Sequence, residues 1–334
     1  MTQAFPFSAI VGQDDMKLAL LLTAIDPKIG GVLVFGDRGT GKSTAIRALA
    51  DLLPPLKAVK GCPVNSPTAK DVPDWAELTS KRKTEISTPV VNLPLGVSAD
   101  RVTGALDIER ALVDGVKAFQ PGLLAAANRG YLYIDEVNLL EDHIVDLLLD
   151  VAQSGENIVE REGLSIRHPA RFILIGSGNP EEGELRPQLL DRFGLSVEVR
   201  TPQTVLDRVD VIKRRDAFDQ DPQGYCATWA EQTAKIQADI IAARNILETV
   251  NCGDDILETC AEICIAMGSD GLRGELTLLK TARAFAAYEG APSVEKSHLK
   301  RIAPMALSHR LRRDPLDDTG SLARVERTLE AVLG

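Results

Sequence analysis

Along the N-terminal half of the chain, short apolar runs bounded by glycine alternate with longer stretches of helical periodicity. Gly31-Val32-Leu33-Val34-Phe35 ends in Gly36 and reads as a buried parallel strand. A helical stretch follows from Lys42 to about Leu53, where Pro54-Pro55 stops it. Tyr131-Leu132-Tyr133-Ile134 predicts a second strand, followed by a helix from about Leu140 to Gln153. Arg171 to Ser177 predicts a third strand, and Leu195 to Val199 a shorter fourth. Strands alternating with helices imply an α/β domain built on a mostly parallel sheet. Two segments break the alternation. Residues 61–104 are rich in Pro, Gly and Ser, lack a long amphipathic helix, and read as an insertion. Residues 156–170 place two β-prone runs around Glu162-Gly163, the pattern of a hairpin. After about residue 216 the strand patterns cease. DAFDQDPQG (216–224) reads as a linker, and helical patterns follow near 235–250, 254–267, 272–289, 295–310 and 321–333. They predict a second, all-helical domain.

Length agrees, because 334 residues at roughly 150 per domain suggest two. The net charge of −10 argues against a protein that coats nucleic acid or an anionic membrane, since either task needs a cationic field. Hydrophobic residues at 44% and charged residues at 26% exclude wholesale disorder. No run reaches the roughly 18 apolar residues that span a bilayer. The N-terminal MTQAFPFSAIVGQDD has neither a secretory nor a transit-peptide pattern, so a bacterial cytoplasmic protein is expected. The five cysteines form no C-x-x-C pair and read as reduced packing residues rather than a zinc site.

The candidate chemistry begins at Gly36-Asp37-Arg38-Gly39-Thr40-Gly41-Lys42-Ser43, which fits G-x-x-x-x-G-K-[ST] between a strand and a helix. Glycines let backbone amides turn towards a phosphate, and the helix N-terminus adds positive partial charge. Lys42 reaches the β- and γ-phosphates, and the Ser43 hydroxyl is a ligand for Mg²⁺. ATP and Mg²⁺ are therefore the expected ligands. Asp135 and Glu136 end the second predicted strand, where ligands of open α/β sheets bind. Asp135 is placed in the Mg²⁺ shell, and Glu136 polarises the attacking water. Asn179 ends the next strand and is a candidate to orient that water from the other side. Arg192 and Arg273 are candidates for extra positive charge at the γ-phosphate. From spacing alone, each is equally a surface ion-pair residue.

These residues together resemble the AAA+ ATPases, P-loop enzymes that work as hexameric rings. Asp135-Glu136 resembles their Walker B motif, Asn179 sensor 1, Arg192 the arginine finger and Arg273 the sensor 2 arginine. Ile10-Val11-Gly12-Gln13 resembles the segment that packs beside adenine. The resemblance implies that Arg192 acts in trans on the neighbouring subunit's ATP, and Arg273 in cis. LPLGVSADRVTGALDIERAL (93–112), residues 121–172 and GSGNPEEGELRPQLLDRFGLSVEV (176–199) resemble, more narrowly, the smallest-subunit family of magnesium chelatase. GSDGLRGELTLLKTARAFAAYEG extends the similarity into the helical domain. The family implies an α/β/α AAA+ core over 1–215 with inserts near 86–104 and 156–170, a linker over 216–234 and a helical lid over 235–334. It implies ATP-driven insertion of Mg²⁺ into protoporphyrin IX. Its partners would be copies of itself, an integrin-domain AAA+ subunit and a large porphyrin-binding subunit.

MoxR-type remodelling ATPases share the inserts and are the alternative; the near-verbatim stretches favour the chelatase. A DNA-translocating motor is disfavoured by charge, because Glu156, Glu160 and Glu162 balance Arg161, Arg167 and Arg171 around the hairpin. Lys300-Arg301 with His309-Arg310-Leu311-Arg312-Arg313 forms a basic cluster, either a solvated helix end or a patch facing a neighbouring subunit.

Overall fold

The computed structural model describes residues 3–37, 39–78, 80–161, 163–183, 185–269, 271–311 and 321–333. Backbone contacts divide the chain into two units, Met1–Leu52 with Phe193–Gly334, and Leu53–Arg192.

In the first unit the strand Gly31–Gly36 runs parallel to Phe193–Val199, with Val32 opposite Leu195 and Gly36 opposite Val199. Val32, Leu33 and Val34 are fully buried, as expected of β-branched and leucine side chains in a strand covered on both faces. Helix Asp14–Ile25 is buried along most of its length from Leu18 onwards, so its sequence is apolar nearly all round rather than amphipathic. Helix Lys42–Leu52 buries Ala45, Ile46, Ala48, Leu49 and Leu52, a stripe of helical period.

The C-terminal helices of this unit follow the predicted pattern closely. They span Ala230–Ile246, Asp254–Met267, Arg273–Tyr288, Lys296–Leu307 and Ser321–Leu333. Ala282, Ala286, Ala303 and Ala306 are fully buried, and such small side chains let helices approach closely. Asp254–Met267 starts with two acidic residues and stops at Gly268, a left-handed residue that closes the last turn.

The linker expected over 216–234 is helical instead. Val205–Gln220 is a single helix capped by Thr204, and Pro222–Thr228 is another, capped by the Asp221 carboxylate accepting from the Gly224 amide at 3.0 Å. The Asp-Pro pair that reads as a loop is an N-cap followed by proline at the first helical position. Side-chain pairs four residues apart, Arg215 with Asp219 and Gln220 with Asp216, support the end of the first helix.

In the second unit Tyr131–Ile134 lies between two parallel neighbours, Ile173–Gly178 and Val90–Leu93. The third of these falls inside the segment read as an insertion. Val90–Leu93 is thus a sheet strand, and the insert expected near 86–104 begins after it. Helix Ala99–Thr103 leads into the antiparallel pair Gly104–Leu106 and Phe119–Pro121. A second hairpin, Glu156–Arg161 with Leu164–Pro169, leaves helix Asp142–Ser154 through Gly155. The two hairpins are tied together. Arg161 donates to the Gly104 carbonyl at 2.6 Å, and at the end of the preceding helix Asn157 Nδ2 donates to the Thr103 carbonyl at 2.7 Å, Arg161 to the Thr103 hydroxyl at 2.8 Å, and Arg161 pairs with Asp100. His168 closes the joint: Asn157 Nδ2 also donates to its Nε2 at 2.9 Å, so its proton sits on Nδ1, 3.0 Å from the Pro169 carbonyl. Burial holds the His168 pKa below its ordinary value and keeps the ring neutral. Among the described residues, no helix is long and apolar enough to cross a membrane.

Candidate nucleotide-hydrolysis site

The phosphate loop belongs to the first unit. Gly36, Gly39 and Gly41 have φ of +152°, +78° and +84°, values open to glycine and costly for other residues. At Gly36 the demand is also steric, because a Cβ would lie 2.0 Å from the Val199 carbonyl oxygen on the paired strand. Gly36→Ala is accordingly expected to lower folding stability by about 3 kcal/mol. Urea denaturation checks this, and an unchanged midpoint would show that the strands can part. Beyond Gly36 the loop turns into the N-terminus of helix Lys42–Leu52, where orphan amides and the helix dipole favour an anion. Thr40 braces the loop by donating to the Asp37 carbonyl at 2.8 Å. The Lys42 ammonium donates to the carbonyls of Gly36 and, at 2.8 Å, of Asp37, so its charge is folded back over the loop. Ser43 follows on the first helical turn. Arg38 lies outside the described residues.

Ile10 and Val11 are half-buried and precede two left-handed residues, Gly12 and Gln13. Lys17 Nζ holds the Ile10 carbonyl at 3.0 Å, and Arg214 holds that of Ala9 at 2.9 Å. Gln13 Nε2 donates to the Arg200 carbonyl at 3.0 Å. Arg273 opens helix Arg273–Tyr288 in the same unit.

The acidic residues belong to the second unit. Tyr131–Ile134 is buried throughout and delivers Asp135 and Glu136 to its carboxyl end. A relay fixes Asp135: the Ser177 hydroxyl donates to Asp135 Oδ1 at 2.5 Å, and Tyr133 and Ser177 share a bond at 3.0 Å. Sequence reasoning missed Ser177. Its signal was a hydroxyl residue within an otherwise apolar strand, two positions before Asn179. Glu136 has φ +53° and ψ +54°, an uncommon left-handed conformation for a glutamate. Strain of this kind persists where the surroundings over-determine the backbone, as at functional sites. Asn179 is buried; its carboxamide oxygen accepts from the Glu181 amide at 3.1 Å, which leaves Nδ2 as the group to face a ligand. Arg192 makes one side-chain hydrogen bond, to Gln153 Oε1 at 2.9 Å, and among the described residues it has no ion pair. Its Nε is buried with no hydrogen-bond partner among the described residues. Among the described residues, then, Arg192 does not form the surface ion pair that spacing alone left open.

Taken unit by unit, the donor types suit a nucleoside triphosphate and Mg²⁺. Loop amides and an ammonium match phosphate oxygens, and a hydroxyl and a carboxylate are the hard oxygen ligands that Mg²⁺ takes.

A phosphate loop on a parallel strand, an acidic strand end and a helical lid define a P-loop ATPase of the AAA+ class. The family described as AAA lid domain matches residues 257–330. The family described as magnesium chelatase, subunit ChlI, matches residues 6–188. The magnesium-chelatase 38 kDa subunit of Cereibacter sphaeroides is 68% identical over 333 residues, covering 100% of both chains. That of Rhodobacter capsulatus is 69% identical over 329 residues, covering 98% of this chain and 94% of the relative. Among solved structures, a chain from a complex between subunits BchI and BchD of magnesium chelatase is 65% identical, with TM-score 0.56, covering 98% of this chain and 99% of that one. The chain belongs to the magnesium chelatase ChlI subunit family.

Proposed function

We propose that this chain is the ATP-hydrolysing motor of a magnesium chelatase, which drives insertion of Mg²⁺ into protoporphyrin IX during chlorophyll or bacteriochlorophyll synthesis. The observation that carries the reading is end-to-end identity of 68% with a magnesium-chelatase subunit. The same identity favours it over MoxR-type remodelling. We infer that the phosphate loop, Asp135, Glu136 and Asn179 serve one ATP. Lys42 neutralises the β- and γ-phosphates while loop amides hold them. Ser43 ligates Mg²⁺, and Asp135, oriented by Ser177, holds its water shell. Glu136 polarises the attacking water, Asn179 Nδ2 positions it, and Ile10 and Val11 pack beside adenine. Arg192 would stabilise developing charge on the γ-phosphate of the neighbouring subunit's ATP, and Arg273 would report the state of its own.

In functional terms the core spans 1–215, and residues 216–234 form a helical connector to a lid over 235–334. Six copies forming a ring, an integrin-domain AAA+ subunit and a large porphyrin-binding subunit complete the assembly. The relative solved in a BchI–BchD complex supports the second of these partners.

The deciding experiment is reconstitution with the two partner subunits, protoporphyrin IX, Mg²⁺ and ATP, followed by Mg-protoporphyrin fluorescence. Insertion that requires this chain and ATP is expected. ATP turnover without insertion would leave a motor with another client. Glu136→Gln should bind ATP normally but lower turnover by about 10²-fold or more. Filter binding alongside phosphate release checks this, and loss of binding would remove Glu136 from its role.

A further inference from the structure

Phe193 follows Arg192 directly and opens the strand Phe193–Val199. It is fully buried, and a Cβ on its neighbour Gly194 would lie 2.1 Å from the Ile29 carbonyl oxygen, so the start of this strand is tightly seated. The Phe193 carbonyl oxygen accepts two hydrogen bonds from the turn Ser308–Arg310, which follows helix Lys296–Leu307. His309 Nε2 donates at 3.0 Å and the Arg310 guanidinium at 2.8 Å. A carbonyl only accepts, so the His309 proton is on Nε2 and Nδ1 is a bare lone pair. That Nδ1 is buried with no hydrogen-bond partner among the described residues. Leaving a buried acceptor unmade is costly, so this arrangement is not a chance surface contact. Burial, reinforced by the Arg310 charge, lowers the His309 pKa to about 3, which keeps the ring neutral and the donor in place at any physiological pH.

His309 and Arg310, two of the six basic residues of the cluster, therefore form neither a solvated helix end nor a patch for a neighbour; Arg312 and Arg313 lie outside the described residues. His309 and Arg310 form a clamp from the lid onto the peptide next to the proposed arginine finger. The finger side chain itself is lightly held, with a single bond to Gln153. Its direction must therefore depend strongly on its backbone.

We propose that His309 and Arg310 are positioning residues for Arg192. By gripping the Phe193 carbonyl they tie the lid of one subunit to the finger that the same subunit offers to its neighbour's ATP. Lid movement on nucleotide binding or release would then reach the adjacent site through one peptide unit. The proposal rests on the trans assignment of Arg192 and deepens it.

The test is subunit mixing. Arg310→Ala rings should bind a non-hydrolysable ATP analogue normally, yet turn ATP over about tenfold more slowly, the scale of one lost buried charged hydrogen bond. His309→Leu should behave alike. His309→Gln and Arg310→Lys each retain an N–H donor and should stay near wild-type turnover, which separates loss of the clamp from misfolding. Adding Lys42→Ala subunits, inactive themselves but intact at Arg192 and its clamp, should restore turnover at the Arg310→Ala sites. A lid that had merely lost its structure would not be rescued by a neighbour. A mixture of Arg192→Ala and Lys42→Ala serves as control. Rescue in the control but not with Arg310→Ala overturns the positioning role. Rescue in neither overturns the trans reading of Arg192 and the proposal with it. Wild-type turnover in both Arg310→Ala and His309→Leu overturns the proposal directly.

Discussion

Lys42→Ala is expected to abolish ATP hydrolysis, lowering turnover by at least about 10³-fold. Two effects combine. The variant loses the one ammonium on the phosphate loop, so negative charge gathering on the transferred phosphoryl group loses its nearest fixed counter-charge. It also loses the donor that ties the Gly36 and Asp37 carbonyls together, leaving Thr40 alone to brace the Asp37 carbonyl. Nucleotide affinity should fall as well, because the lysine interacts with bound ATP before as well as during reaction. Lys42→Arg should not repair the defect, since a planar guanidinium cannot fold back over the loop as an ammonium does. Phosphate release measured with saturating ATP checks the prediction. Normal turnover would remove Gly36–Ser43 from the active site.

Arg192→Ala should be nearly as severe and different in kind. Arginine fingers contribute about 10³–10⁵-fold to rate in phosphoryl transfer, and turnover should fall within that range while ATP binding persists. The surroundings of Arg192 are compatible with this proposed role. Its Nε is buried with no hydrogen-bond partner and its guanidinium has no ion pair among the described residues, so approach to a phosphate breaks only the bond to Gln153. Arg192→Lys should recover little, because a point charge lacks the planar fork. Mixed with Lys42→Ala, the Arg192→Ala variant should regain activity, and no recovery at any ratio would argue for action in cis.

What the sequence disclosed about the fold followed interaction range. The phosphate loop was legible because its chemistry lies within eight consecutive residues, Gly36 to Ser43, and its flanking strand and helix are strongly patterned. The hairpin at 156–169 was legible for the same reason. Val90–Leu93 was not, because four residues set between Pro89 and Pro94 carry no periodicity of their own. They become a strand by pairing with Tyr131–Ile134. The helices over 205–228 were hidden by Asp221-Pro222, a pair that serves loops and helix starts equally.

At the candidate site, residue types pointed to Asp135, Glu136 and Asn179, but not to what holds them. Ser177 meets Asp135 from 42 residues away, and Arg310 meets Phe193 from 117 residues away. No local pattern encodes such contacts. Arg192 shows the same limit from the other side: spacing leaves finger and ion pair equally open, and the hydrogen bond to Gln153 in place of an ion pair, among the described residues, comes from a residue 39 positions away.

The joint between the two hairpins has a mechanical consequence. Gly104 and the preceding Thr103 receive Arg161 and Asn157 from the second hairpin, and Asn157 is in turn locked by a neutral histidine. Hairpins fastened in this way are expected to move together at the joint. The root of the second hairpin is Gly155, directly after the helix that follows the acidic strand end. A displacement at that root would then be shared with the neighbouring strand pair through the joint and not be taken up by one hairpin alone.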